Sequence, residues 1–265
     1  MHDGKLPVLS NQRVSTMNDM ASGAPVTAAI LVIGDEILSG RTKDKNIGYI
    51  AEYLTAIGVD LKEVRVVADE EDAIVAALNA LRHRYAYVFT TGGIGPTHDD
   101  ITADSVAKAF GVPIDFDPRA IALMRERFSE ADLNAARMRM TRIPQGADLV
   151  VNKVSKAPGF WIGNVIVMAG VPSIMRMMLD AVTPKLAVGE RTVARQIVAG
   201  ALPEGSYAAA LRTIAADYPT LSIGSYPSVR DGRFHNEIVV RGKDDRRIEE
   251  AAARVQAMVR GFGPT

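Results

Sequence analysis

Cysteine is absent from this 265-residue chain, which excludes disulfides, thiolate metal sites and a cysteine nucleophile and leaves the redox compartment undecided. Net charge is absent as well. Thirty-one Lys and Arg balance 31 Asp and Glu, so no global field gathers nucleic acid or an anionic membrane surface. No apolar run approaches the ~20 residues needed to span a bilayer, and residues 1–25 lack the apolar core of a secretion signal. Cytoplasm is the default expectation. Tryptophan occurs once, as Trp161, and is expected to be buried. What is present is ordinary: 48% hydrophobic and 23% charged residues describe a globular protein of one large or two modest domains.

One stretch stands out. The apolar run Tyr87-Val88-Phe89 reads as a buried strand and empties into Thr90-Thr91-Gly92-Gly93-Ile94-Gly95-Pro96-Thr97-His98-Asp99-Asp100, after which a helical pattern begins. A strand, a glycine turn and a helix start together present backbone N–H groups to a phosphate. The helix is expected to open with the adjacent carboxylates Asp99 and Asp100. Carboxylates beside a phosphate repel it unless a divalent cation such as Mg²⁺ lies between them. Glycine turns and aspartate caps are common on their own, but three glycines, Pro96, Thr97 and two carboxylates in so short a span point to a metal-assisted phosphate or pyrophosphate site. Neither the dinucleotide fingerprint nor the P-loop pattern occurs.

Along the chain, residues 1–25 are polar and periodless, a disordered tail or an expression remnant within which Met17 or Met20 could be the true start. Val26 to Ile33 suits a strand buried on both faces, and Gly34-Asp35-Glu36-Ile37-Leu38-Ser39-Gly40 follows as a loop at its carboxyl end, where ligands gather in open α/β sheets. Asp35 and Glu36 there are either orienting groups for a metal or ribose, or solvated loop charges. A helix striped by Ile47, Ile50, Leu54 and Ile57 has Asp44 as its cap and Gly58 as its stop. Val59 to Val67 reads as a strand, and Asp69 directly after it is a further candidate site residue, ahead of a helix faced by Ile74, Ala77, Leu78 and Leu81.

Residues 117–143 read as two helices rich in Arg and Met. Their basic face is either a phosphate or partner contact or, as is commoner, a solvated face paired with neighbouring acids. Ile143 to Ala147 reads as a turn, with strands at Leu149–Val151, Phe160–Ile162 and Val165–Met168. The last empties into Ala169-Gly170-Val171-Pro172-Ser173, where Pro172 and Ser173 open a helix. Ser173 either holds a second phosphate or a ribose, or simply caps the helix. Pro184 to about Arg191 reads as a boundary. Beyond it a β-α-β-β-α unit over 190–265 carries no concentrated chemistry and no G-x-x-G loop, with Arg233 to Asn236 as the turn between its second and third strands.

These residues carry a resemblance. Gly34 to Leu38, Thr91 to Asp100, Ala157-Pro158-Gly159-Phe160 and Gly170 to Ser173, in that order, resemble the molybdopterin-binding fold of the MoaB/MogA family, and within it the branch found at the amino end of CinA and in FAD-synthase-like proteins. Asn134, Ile143-Pro144, Gly146-Ala147 and Asn152 fit the same branch, and the likeness covers about Val26 to Leu186. It implies a three-layer α/β/α fold over 26–187, binding a pterin or nucleotide pyrophosphate with a divalent metal, and a symmetric homo-oligomer. It also implies catalytic roles for Asp69 and Asp100, metal ligation by Asp99 and Asp100, and ligand contacts from Gly34, Asp35, Glu36, Thr91, Gly92, Gly93, Gly95, Pro96, Thr97, Gly170, Pro172 and Ser173. For the CinA-like branch it implies hydrolysis of ADP-ribose or a related dinucleotide pyrophosphate with magnesium or cobalt and potassium. Adenylyl transfer to molybdopterin and a non-catalytic binding module are the alternatives. Residues 190–265 are similar in plan to the small KH-like domain that follows in full CinA. The chain then ends, so the deamidase activity of that protein is expected to be missing. Lys153-Val154-Ser155-Lys156 departs from the glycine-containing loop of the family at that place.

Overall fold

The structure, a computed structural model, describes residues 25–230 and 232–263. The tail expected over 1–25 lies, up to residue 24, outside the described residues.

Four strands made of continuous apolar or half-apolar runs lie parallel: β1 (Thr27–Ile33), β2 (Asp60–Val67), β3 (Tyr87–Thr91) and, later in the chain, β8 (Val165–Met168). Between β3 and β8 the chain forms a side pair, β4 (Ile114–Phe116) with β5 (Arg142–Pro144), and two strands that extend the main sheet antiparallel, β6 (Asp148–Val150) and β7 (Gly159–Ile162). The main sheet runs β2-β1-β3-β8-β7-β6.

Its two faces are covered differently. On one, Ile50 and Leu54 of α2 (Ile47–Ala56) and Met175, Met178, Leu179 and Val182 of α7 (Pro172–Val182) pack on Ile30, Val32, Tyr87 and Phe89. On the other, Ile74, Leu78 and Leu81 of α3 (Glu71–Arg82) and Val106 of α4 (Thr102–Phe110) pack on Ala29, Leu31, Ile33 and Val88. Successive residues of β1 and β3 therefore serve opposite cores, which is why both strands must be apolar throughout. The result is the expected three-layer α/β/α arrangement. Short helices α1 (Asp35–Leu38), α5 (Pro118–Arg125) and α6 (Ala135–Arg139) fill the connections.

After a 3₁₀ turn at Thr183–Lys185 the chain returns along the amino ends of the parallel strands. The Ala187 N–H donates to the Tyr87 hydroxyl at 2.8 Å and the Gly189 N–H to the Gly58 carbonyl at 3.1 Å. Gly58 permits this approach. Its φ is +80°, and a Cβ there would lie 2.2 Å from the Gly189 oxygen. A second, antiparallel sheet then forms in the order β10-β11-β9, from β9 (Val193–Gly200), β10 (Ser222–Arg230) and β11 (Arg233–Gly242). Helices α8 (Glu204–Asp217) and α9 (Asp245–Gly261) pack on it around Tyr207, Ile238, Val240, Ile248 and Val255, a core of its own.

Several local expectations are corrected. The loop after β1 winds into the single turn α1. Ile143 and Pro144 belong to β5, because their backbone pairs with Ile114–Phe116 instead of turning. Residues 233–236 are strand, since the hairpin register continues to the Arg230–Arg233 pair. Trp161 is only half-buried. It packs edge-on against Tyr87 and keeps its indole N–H on the Gly163 carbonyl.

Candidate functional site

Three loops leave the carboxyl ends of β1, β3 and β8, and the parallel pairing of those strands brings all three to one edge of the sheet. They touch. The Gly92 N–H donates to the Met168 carbonyl at 3.2 Å, and a Cβ on Gly170 would lie 3.3 Å from the Gly92 Cα. Gly92 sits at φ +103° with the Ile33 carbonyl oxygen 2.1 Å from where a Cβ would be, so no other residue fits between β1 and β3. The buried Asn46 side chain donates to the Gly170 carbonyl at 2.8 Å and ties the start of α2 to the third loop.

Around these loops lies a cleft of about 620 Å³, a volume that suits a small-molecule ligand. Of the residues expected from sequence, Glu36, Gly92, Gly93, Gly95, Pro96, Asp100, Gly170 and Pro172 line it. Gly34, Asp35, Asp69, Thr97, Asp99 and Ser173 stand behind or beside that lining. Thr91 does not reach it, being 1% exposed within β3, so its expected ligand contact is corrected. The far wall holds Arg127 of the Arg-rich segment and Ser155 of the loop that departs from the family, together with Phe128 and Met140, which the sequence did not mark. Phe128 has the guanidiniums of Arg127 and Arg137 over its ring, at 5.6 and 4.5 Å from the centroid. Arg119, Arg125, Arg137 and Arg142 follow the commoner expectation and pair with Asp117, Glu130, Asp132 and Asp104, whereas Arg139 reaches only the Asp100 carbonyl, at 3.5 Å, and its Nε is buried without a partner.

The carboxylates are placed differently from expectation. Helix α4 begins at Thr102, so Asp99 and Asp100 precede it instead of opening it. The Thr102 hydroxyl donates to the Gly92 carbonyl at 3.0 Å, which fixes the turn from below. Asp100 folds back into the glycine loop. It accepts the Gly95 N–H at 2.7 Å on one oxygen, and the Thr97 N–H at 2.8 Å and hydroxyl at 2.5 Å on the other. A carboxylate thus occupies the amides that were expected to face a phosphate. Asp99 is exposed. Ser173 is exposed in the first turn of α7, whose cap residue is Val171, and makes no side-chain cap.

Asp69 lies behind the glycine loop, just after the end of β2. Its Oδ2 accepts the Asp35 N–H at 3.0 Å, and its Oδ1 faces Gly93. Burial pushes its pKa up, the Asp35 N–H opposes that, and the charges of Asp35, Glu36 and Asp99 push it up further. Four carboxylates therefore feel one another beside the glycine loop, a concentration of negative charge that a cation would relieve. Among the described residues no three His, Cys, Asp or Glu side chains converge as a complete metal-ligand set. Mg²⁺ ordinarily takes only one or two carboxylates and fills its shell with water and substrate phosphate, a smaller demand than a complete protein cage. Asp100 already accepts three hydrogen bonds from Gly95 and Thr97, which leaves its carboxylate little capacity for a metal.

Fold and cleft together define an α/β protein with a cleft of small-molecule size at the carboxyl edge of its parallel strands. The family described as "Probable molybdopterin binding domain" matches residues 29–188, and "FAD synthase, middle domain" matches residues 192–262. Protein Ta0487 of Thermoplasma acidophilum is 29% identical over 239 residues, which are 86% of this chain and 93% of that one. A CinA-like protein of Desulfosudis oleivorans is 31% identical over 239 residues, and the chain spans 57% of its length. A probable FAD synthase of Caenorhabditis briggsae is 28% identical over 268 residues, with 51% of its length covered. The crystal structure of a CinA protein from Thermoplasma acidophilum, described as of unknown function, superposes with a TM-score of 0.58 at 33% identity, over 61% of this chain and 99% of that one. The chain belongs to the molybdopterin-binding domain family of the MoaB/MogA type, in its CinA-like branch. Among the described residues no helix is long and apolar enough to cross a membrane.

Proposed function

We propose that the cleft binds a nucleotide or pterin pyrophosphate with a divalent metal, and that the protein hydrolyses ADP-ribose or a related dinucleotide pyrophosphate. The observation that carries this reading is the meeting of the three strand-end loops on one cleft with the Asp69 carboxyl behind Gly93. The N–H groups of Gly93, Ile94, Gly95 and Thr97 and the start of α7 would receive phosphate oxygens. For Gly95 and Thr97 to do so, Asp100 must yield its place, so ligand phosphate and the Asp100 carboxylate exchange at the same donors. Released, Asp100 would orient the attacking water or join Asp69 and Asp99 in holding magnesium or cobalt, with potassium as a further charge carrier. The metal, when bound, supplies charge neutralisation of the pyrophosphate. Asp69, fixed by the Asp35 N–H, would keep its orientation throughout. Phe128 offers a flat apolar face on which an adenine or pterin ring would stack.

The protein would work in the cytoplasm as a homo-oligomer, with a small molecule and not nucleic acid as its ligand. The test is incubation with ADP-ribose, FAD and NAD, with and without Mg²⁺, Co²⁺ and K⁺, following AMP release. Metal-dependent AMP from any of the three supports the hydrolase. A second reading, molybdopterin binding or adenylylation, is favoured by the family match itself. Absence of AMP with tight pterin binding would select it. Tight nucleotide binding without turnover would select a binding module.

A further inference from the structure

A second cleft, of about 980 Å³, lies between the two sheets and far from the first. One wall is the start of β2, with Asp60 and Lys62. The other is the end of β11 and the start of α9, with Arg241, Lys243 and Arg247. Because Asp60 opens β2 and Asp69 follows its end, this cleft sits at the amino edge of the parallel strands. Seven residue steps at about 3.3 Å each put it roughly 23 Å from the glycine loops.

Its charges are unevenly satisfied. Asp60 is shared by Lys62 at 3.4 Å and Lys243 at 3.3 Å, the latter an ion pair between the two units. Asp244 is engaged in capping α9, accepting the Arg247 N–H at 3.1 Å. The acids of the cleft are thereby occupied. The arginines are not. Arg241 donates its Nε to the Ser222 hydroxyl at 3.3 Å and has no carboxylate partner among the described residues. Arg247 lies over the Tyr218 ring and reaches only the Asp217 carbonyl, at 3.4 Å, while its Nε is buried without a partner. Other arginines of the same unit do find acids: Arg195 pairs with Glu249 at 2.6 Å and Arg254 with Asp217 at 2.7 Å. A guanidinium carries five donors in a fork that matches an oxyanion, and a buried donor left unpaired is costly. Four cations against two occupied acids leave a formal surplus of two positive charges in the cleft. That is close to the charge of one phosphate monoester at neutral pH.

We propose that this inter-unit cleft is a second, separate anion site that takes a phosphorylated small molecule, its phosphate held by Arg241 and Arg247 and its organic body lying in the remaining volume. The ligand would contact both sheets and so hold the two units in one orientation. This inference does not rest on the reaction proposed for the first cleft.

Two-dimensional amide NMR of the full chain, titrated with inorganic phosphate and separately with AMP in metal-free buffer, tests it. The amides of Ser222 and Gly242 are expected to move with both ligands. Arg241→Glu is expected to weaken that response by at least about tenfold, the loss that goes with one charge-assisted hydrogen bond. Arg241 is exposed, so its reversal leaves the core of the unit alone, whereas Arg247→Ala also removes packing on Tyr218 and is read only alongside a melting curve. Movement confined to Gly92–Thr97, or a Ser222 and Gly242 response unchanged by Arg241→Glu, would overturn the site. AMP binding there no tighter than inorganic phosphate would overturn the assignment of an organic body.

Discussion

The two sheets of this protein put their loops to different use. In the six-stranded sheet β1, β3 and β8 run parallel, so loops separated by some sixty to eighty residues in sequence emerge at the same edge and meet within van der Waals distance. In the three-stranded sheet every neighbouring pair is antiparallel; β9 and β10 leave at one end and β11 at the other, and no glycine-rich strand-end loops converge there. The small unit binds through its flank instead, where its arginines face the larger unit. Convergence comes with parallel topology; an antiparallel sheet of this size must borrow a wall from its neighbour.

The comparison predicts a steep contrast among glycines. Gly92→Ala would drive a methyl into the Ile33 carbonyl from a left-handed backbone and should destabilise by about 3 kcal/mol or more, read as lost soluble yield or a large fall in Tm. Gly232, at the hairpin turn of the small unit, also has positive φ but nothing within 4 Å, so Gly232→Ala should cost only about 1 kcal/mol. Equal costs at the two positions would mean that the close approach of β1 and β3 does not matter.

Asp100→Ala comes next. It leaves the Gly95 and Thr97 donors without their carboxylate, so the fold should survive with a loss of about 1–2 kcal/mol in denaturant melts. Turnover should fall by about 10² or more. Asp69→Asn separates function from stability. Because the folded-state pKa of Asp69 lies above its unfolded value, the ionised carboxylate is penalised in the fold. That penalty is absent in acid, below the unfolded pKa, grows as pH rises between the two values, and is complete above the folded one. Asn keeps the acceptor for the Asp35 N–H, so Asp69→Asn should raise Tm at neutral pH, leave it unchanged near about pH 3, and abolish turnover. Smallest of all, Lys243→Ala removes the half-buried pair with Asp60 and should change stability by less than about 1 kcal/mol, since Asp60 keeps Lys62.

What could be read from sequence follows the same division. Buried parallel strands announce themselves as unbroken apolar runs, and the glycine that ends each one marks the ligand edge, so β1, β3, β8 and their loops were legible. The side pair β4–β5 was not, because Ile114–Phe116 is only three residues long, mostly exposed, and pairs with a segment whose Pro144 and Gly146 signal a turn. The inward fold of Asp100 was hidden for another reason. Its bonds run backward three to five residues to backbone N–H groups, and the spacing also fits a helix start. Phe128 and Arg127 belong to a segment whose Arg content looks like a solvated face. Only their position opposite the glycine loops makes them a wall. Ser173 shows the limit of cap signals, since Pro172 already fills the first helical position and Val171 takes the cap.

The proposed function requires the glycine-loop cleft to cleave a dinucleotide pyrophosphate with Asp69 and Asp100 as working groups. The most direct measurement is AMP release from ADP-ribose by the wild-type chain and by Asp100→Ala and Asp69→Asn, each checked for folding, with and without added Mg²⁺ or Co²⁺. Metal-dependent AMP is expected from the wild type, about 10²-fold less or lower still from Asp100→Ala, and none from Asp69→Asn. Full activity in a folded Asp100→Ala or Asp69→Asn protein, or turnover indifferent to metal, would contradict it.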